Sequence, residues 1–168
     1  MTIVKGLTIT ELMLTLAIIS IIGLFAGPSI SKFLERNKVE SDTLQITNII
    51  TTARSNAISK KSPITICGDD KTEKCSRNWL RLKVINASTN EIMHQTTLNS
   101  RFSSAHWSAF QNKPGLTIAP TGFTSHQNGT LYLCHKRYKK LHRAIIVSKS
   151  GRVSIKRQST EISRKCNN

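Results

Sequence analysis

Acidic side chains are scarce in this chain. Asp and Glu number nine in 168 residues against 25 Lys and Arg, so the formal net charge is +16 and the sequence pI is near 10.3. Other features are absent outright. No carboxylate pair, nucleophile elbow or phosphate loop occurs in a framing that catalysis requires, so the sequence gives no ground for an enzyme. The four cysteines, Cys67, Cys75, Cys134 and Cys166, include no CxxC pair, and His94, His106, His126, His135 and His142 are scattered. Closely spaced metal ligands are therefore missing, and no metal or other cofactor is expected. Asp69 and Asp70 with Glu73 could suggest a calcium loop, but Lys71 and Lys74 among them read as a solvated turn.

The N-terminal region is almost without charge. From Leu12 to Phe25 only Thr15 and Ser20 interrupt an apolar run, and both can hydrogen-bond back to a helix backbone. That run is short for the roughly 17 to 25 residues of a membrane helix, so a span would take in residues on either side, about 7–30. Lys5 precedes it, which by the positive-inside tendency leaves the start of the chain in the cytoplasm and sends the rest across. No small-residue cleavage site follows the run, so an ordinary secretory signal is not expected. In an exported domain four cysteines read as two disulfides. One residue stands out: Glu11, the only acidic group before Glu35, heads a stretch otherwise suited to lipid, where a carboxylate costs on the order of 2.5 to 3.5 kcal/mol and usually has a partner.

Lys5-Gly6-Leu7-Thr8-Ile9-Thr10-Glu11-Leu12 resembles the processing site of a type IV prepilin. The resemblance implies cleavage between Gly6 and Leu7 by a prepilin peptidase, and pairing of the new amino group of Leu7 with Glu11 of a neighbouring subunit. Leu7 departs from the Phe that usually begins the mature chain. Pro28 falls where pilin helices often carry a proline. Beyond it Ile30, Phe33, Leu34, Val39, Leu44, Ile46, Ile49, Ile50, Ala53, Ala57 and Ile58 recur at three and four spacings, an amphipathic stripe, with Arg36, Lys38, Glu40 and Asp42 on the other face. One long bent helix from about Leu7 to about Ser59 is expected, ended by Ser62-Pro63.

The remainder reads as strands: Ile64–Cys67, Leu80–Asn86, Ile92–Thr97, Leu116–Ala119, Leu131–Cys134, Arg143–Ser148 and Arg152–Lys156, with a hairpin at Lys149-Ser150-Gly151. Ile118 to Phe123, Asn128 to Cys134, Ala144 to Ser148 and Ser150-Gly151-Arg152, with Cys67 to Cys75 and Trp79, are similar to the GspH/FimT family of minor pilins and pseudopilins. The Gly-Arg-any-Arg of FimT-type members is met only by Gly151-Arg152, since Ser154 stands in the last place. Cys67 with Cys75 would close a short loop and Cys134 with Cys166 would tie the tail to the sheet; the sequence leaves the pairing open. The implied fold is α+β and type IV pilin-like, a long N-terminal helix on a C-terminal antiparallel sheet domain. Its parts are a leader at 1–6, a transmembrane or filament-core half at 7–30, an amphipathic half at 31–61 and a globular domain at 62–168.

The basic residues concentrate at the end. From Leu131 onward there are eleven, Lys136, Arg137, Lys139, Lys140, Arg143, Lys149, Arg152, Lys156, Arg157, Arg164 and Lys165, against Glu161 alone, so this stretch supplies 11 − 1 = 10 of the 16 net charges. Five of them lie in HKRYKKLHR, a loop suited to phosphates, with Tyr138 placed to stack on a base. The expected DNA-binding set is Lys136, Arg137, Lys139, Lys140, Arg143, Lys149, Arg152, Lys156 and Arg157, with weak sequence preference. A FimT-like minor pilin that binds extracellular DNA and assists natural transformation follows from the resemblance and the charge together. Expected partners are DNA, other pilin subunits, the prepilin peptidase and the inner membrane, the domain being periplasmic before assembly and extracellular in the pilus. A structural minor pilin or GspH-like pseudopilin, meeting acidic subunits through the same face, is the alternative. Anionic lipid headgroups and acidic glycans share the same chemistry.

Overall fold

The computed structural model describes residue 6 and residues 8–70, 74–99 and 101–167, with the side chains of 24–28 outside the description. Two compact units divide the chain, Met1–Val39 and Glu40–Asn168. Helix α1 (Ile9–Ser59) passes from one into the other. Its first turn explains part of the Glu11 problem. Thr8 precedes the helix, its Oγ1 accepts from the Glu11 N–H (3.3 Å), and its carbonyl accepts from Leu12 N–H (3.1 Å). Thr8 and Glu11 thus have the spacing of a capping box, and a carboxylate in the first turn suits the positive end of the helix dipole.

Within the first unit Thr15 and Ser20 turn their hydroxyls back onto the carbonyls of Leu12 (2.9 Å) and Leu16 (2.7 Å). Ile9, Leu12, Met13, Leu16, Ile19 and Ile22 on one side of the helix and Leu14, Ile18 and Ile21 on the other are all exposed. Among the described residues no helix is long and apolar enough to cross a membrane. The expected span, 7–30, takes in Leu7, which lies outside the described residues, as do the side chains of 24–28, Pro28 among them.

In the second unit α1 buries Thr43, Ile46, Ile50, Ala53 and Ala57, a stripe at alternating three and four spacings. The structure corrects the expected stripe at its margins: Ile30, Phe33, Leu34, Leu44 and Ile58 are exposed. Asp42 is a correction of the opposite kind. Expected on the solvent face, it is only 8 % exposed, with its carboxylate 2.7 Å from the Arg101 guanidinium and 3.4 Å from the Asn99 amide. The helix stops where expected. Lys61 adopts a left-handed conformation (φ 49°), Ser62 N–H returns to the Ala57 carbonyl (3.2 Å), and Pro63 follows.

Two antiparallel sheets follow. The first has β1 (Ile64–Asp69) flanked on one edge by β3 (Arg81–Asn86) and then β4 (Ile92–Thr97), and on the other by β6 (Gly115–Ile118) and the short β2 (Cys75–Ser76) in succession. The second has the order β5-β7-β8-β9, with β5 at Phe102–Ala109, β7 at Gly129–His135, β8 at Arg143–Val147 and β9 at Val153–Lys156. Each strand expected from the sequence is present, and the Lys149–Gly151 hairpin forms between β8 and β9, closed by Ser148 N–H to Arg152 O (3.0 Å). The eight-residue β5 and a closing helix α2 (Thr160–Cys166) were not anticipated.

Trp79 and Trp107 are fully buried and stacked, ring centroids 4.7 Å apart. Their backbones tie the segment before β3 to the edge of β5: Trp79 N–H donates to Ala105 O (2.7 Å) and Trp107 N–H to Arg77 O (2.8 Å). Asp69, expected in a solvated turn, instead ends β1 with its carboxylate 3.3 Å from Arg81 and 3.6 Å from the buried Lys83. Lys71 and Glu73 lie outside the described residues.

Both disulfides are present, Cys67–Cys75 and Cys134–Cys166, with Cα atoms 5.3 and 5.4 Å apart. The second joins β7 to α2 across a sequence separation of 32. Ile162 of α2 packs with Tyr132, Cys134 and Ala144, so the helix covers part of the outer face of the second sheet. Removing this bridge as Cys134→Ser with Cys166→Ser should lower unfolding free energy by about 3–4 kcal/mol on the loop-entropy estimate. Urea denaturation of oxidised protein and variant measures it, and an unchanged midpoint would show that the bridge constrains nothing.

Candidate functional site

The cationic segment begins where β7 ends, and the side chains in it other than lysine and arginine hold it in shape. His135 Nδ1 accepts from the backbone N–H groups of Arg137 (3.1 Å) and Tyr138 (3.0 Å), while His142 Nδ1 accepts from the N–H of His135 (2.9 Å). Leu141 is buried as a plug, and its N–H and that of His142 close a single turn onto Tyr138 O (2.9 Å) and Lys139 O (3.2 Å). Lys136 N–H donates to Arg101 O (3.0 Å). With His135, Leu141 and His142 facing in, Lys136, Arg137, Lys139 and Lys140 are left exposed together. Tyr138 is half-buried, its ring 5.5 Å from that of His135.

Arg143 is not part of that exposed group, contrary to expectation. It is 3 % exposed, with Nη1 donating to His142 O (2.9 Å) and Nη2 3.5 Å from the Glu40 carboxylate. Strand alternation is the reason: Arg143 pairs across from Leu133 on the inner face of the sheet, where a cation requires an anion beside it. Glu40 also lies 3.6 Å from Arg157, which remains largely exposed.

The other expected cations divide by position. On β9 the alternation is as expected, Ser154 and Lys156 exposed, Val153 and Ile155 half-buried. Lys156 stands opposite Ala144, at the end of the sheet that carries the 136–142 loop. Lys149 and Arg152 are exposed at the β8–β9 hairpin, the opposite end, about 13 Å away at the rise of an extended strand. The expected single patch is thus two clusters, one at each end of the second sheet. Among the described residues none of Lys136, Arg137, Lys139, Lys140, Lys149, Arg152 and Lys156 enters an ion pair. No Asp or Glu occurs between Glu91 and Glu161.

Arg164 and Lys165, exposed on the last turn of α2, add to the outer face and were not assigned to the site from the sequence. The signals were present: Ser159 as N-cap, Glu161 in the first turn, and Ile162 with Cys166 four apart. Lys165 and Arg77 flank His106 of β5, whose pKa lies below the ordinary histidine value through partial burial first and these cations second. Gly6, ahead of α1, and Glu11, in its first turn, are exposed, and Leu7, the other residue expected to act there, lies outside the described residues. Among the described residues no three His, Cys, Asp or Glu side chains stand together as a metal site would need.

The histidine wiring makes the loop sensitive to acid. Burial, then His135 and Lys139, hold the His142 pKa below its usual value. A proton on Nδ1 would remove the acceptor for the His135 N–H, so the unfolded chain takes up that proton first. Stability contributed by neutral His142 is present above the unfolded value of about 6.5 and is lost as pH falls through the lower folded value. The urea midpoint of the protein should therefore fall between pH 7 and pH 5. In His142→Gln, whose amide oxygen can still accept, the fall should be shallower, the residue coming from His106, which has the same sign. Parallel pH profiles for protein and variant would contradict this.

With this geometry in hand the relatives are informative. The family model described as type II transport protein GspH matches residues 42–151. Among solved structures the chain is similar to the type IV minor pilin FimU of Pseudomonas aeruginosa, at 19 % identity and a TM-score of 0.57 over 74 % of this chain and 92 % of that one. It is also similar to the minor pseudopilin EpsH from the type 2 secretion system of Vibrio cholerae, at 14 % identity and 0.56 over 71 % and 97 %. At such identities these likenesses speak for the fold, and no curated protein matches. The chain belongs to the GspH family, with the fold of the minor pilins and minor pseudopilins.

Proposed function

We propose that this protein is a minor pilin of a type IV pilus that captures extracellular DNA on the basic face of its second sheet and assists uptake in natural transformation. The observation that carries the reading is the 136–142 loop, whose uncharged residues are spent on holding it and whose cations all face solvent. Lys156, Arg152, Lys149 and Arg157 extend that face. Such a surface neutralises phosphates without reading bases, so sequence preference is weak. Delivery to the filament rests on cleavage between Gly6 and Leu7 by a prepilin peptidase. It rests also on the apolar segment about 7–30 as inner-membrane anchor and filament core, with Glu11 meeting the new amino group of a neighbour. The domain is periplasmic before assembly and outside the cell after it.

The likeness to EpsH favours a second reading, a pseudopilin that primes assembly through the same cations without touching DNA. Mobility shifts of the full chain in neutral detergent separate the two. Duplex DNA should bind with a log affinity falling against log salt at a slope of about −4 to −5, for about five neutralised phosphates. Replacing Lys136, Arg137, Lys139, Lys140 and Arg152 by Gln should abolish most of that binding. Absence of any shift at low salt leaves the assembly role standing, and undiminished binding by the variant refutes the assigned face.

A further inference from the structure

The two ends of the second sheet differ in more than charge. Register places Ala109, Gly129, Val147 and Val153 side by side, so the ends of β5, β7, β8 and β9 that meet there form one rim with the β8–β9 hairpin. Two phenylalanines stand on it, Phe110 at 62 % exposure and Phe123 at 51 %. Phe110 follows the last residue of β5, its N–H bonded to Asn128 O (3.2 Å). Phe123 sits on a turn pinned from several sides. Gly122 N–H and Ala119 N–H bond to Ala119 O and Phe123 O, both at 2.8 Å, and Arg54 Nε donates to Gly122 O (3.0 Å). Thr124 N–H bonds Lys149 O (3.0 Å), which joins this turn directly to the hairpin bearing Lys149 and Arg152. Gly122 and Gly151 face each other with φ of 80° and 75°, and a Cβ on Gly151 would strike the Gly122 carbonyl. The ring of Phe123 is thus exposed on a backbone fixed beside cations.

We infer that this rim is a subsite for single-stranded DNA, where unpaired bases stack on Phe123 and Phe110 while Lys149 and Arg152 hold the flanking phosphates. The inference rests on the DNA-binding reading and narrows it. An aromatic face accepts any base, so the subsite adds strand selectivity without sequence selectivity. At the opposite end the aromatic side chain of the loop, Tyr138, is half-buried against His135, which leaves that end to phosphates. Bases in an intact duplex are stacked on one another and have no face to offer the rim. No acidic residue between 92 and 160 opposes the strand.

Fluorescence anisotropy of the full chain in neutral detergent, with labelled oligothymidylate and a duplex of equal length, tests this. Phe123→Ala and Phe110→Ala should each weaken single-strand binding by about fivefold or more, leaving duplex binding unchanged. Phe123→Tyr should retain the affinity, which rules out misfolding as the cause. Lys149→Gln with Arg152→Gln should instead flatten the single-strand salt slope by about 1.4. Equal losses on both DNAs, or no loss in either Phe→Ala variant, overturn the subsite while leaving the DNA reading intact. Failure of the unaltered chain to bind any DNA removes that reading and the subsite with it. Loss of subunit incorporation into filaments by the Phe→Ala variants, with single-strand binding unchanged, would make the rim a contact between subunits.

Discussion

Burying a cation requires an anion beside it, and this chain has few to give. Among the described residues, Glu40, Asp42 and Asp69 accept that role in the second unit. Glu40 meets Arg143, Asp42 meets Arg101, and Asp69 meets Lys83 and Arg81. Two of these acids stand two residues apart within one turn of α1 and hold cations from the segment before β5 and from β8, the strands on either side of β7. With these carboxylates committed inward, the cations of the 136–142 loop and of the hairpin have no acidic neighbour in their own region of the chain. The same scarcity that demands specific internal pairs therefore leaves the outer surface strongly positive.

That surface is shaped by residues other than its lysines and arginines. Two histidines accept backbone N–H groups and a buried leucine fills the turn, so four cations are presented by a fixed backbone. A disulfide then holds α2 across the outer face, bringing Lys165 towards His106 of β5. Preorganisation of this kind lowers the ordering cost of binding an extended polyanion. The hairpin end is built differently, with rings on a pinned turn.

Much of the architecture was legible because its signals are local. Ser62-Pro63 stops a helix wherever it lies, and the Lys149-Ser150-Gly151 turn with β-branched runs on both sides makes a hairpin without help from afar. β5 escaped because FSSAHWSA hides its alternation: Ser and His face outward where larger polar groups would mark a strand, and the ladder shifts register between Phe102 and Ser104. α2 escaped because seven residues are too few for periodicity to show. The helix stripe was overdrawn for a related reason, since Leu44 and Ile58 fit the spacing but lie beyond the width that the sheets cover.

By itself the sequence determined the long helix and its stop, the strand-rich second half, the two cysteine bridges as a count and the excess of positive charge. Each is a property of composition or of neighbours along the chain. Which cysteines join, which arginine turns inward and how the cations divide between two ends were decided by tertiary structure alone. Those outcomes depend on strand register, and a single residue's shift in register would have turned Arg143 from the inner face of the second sheet to the outer one.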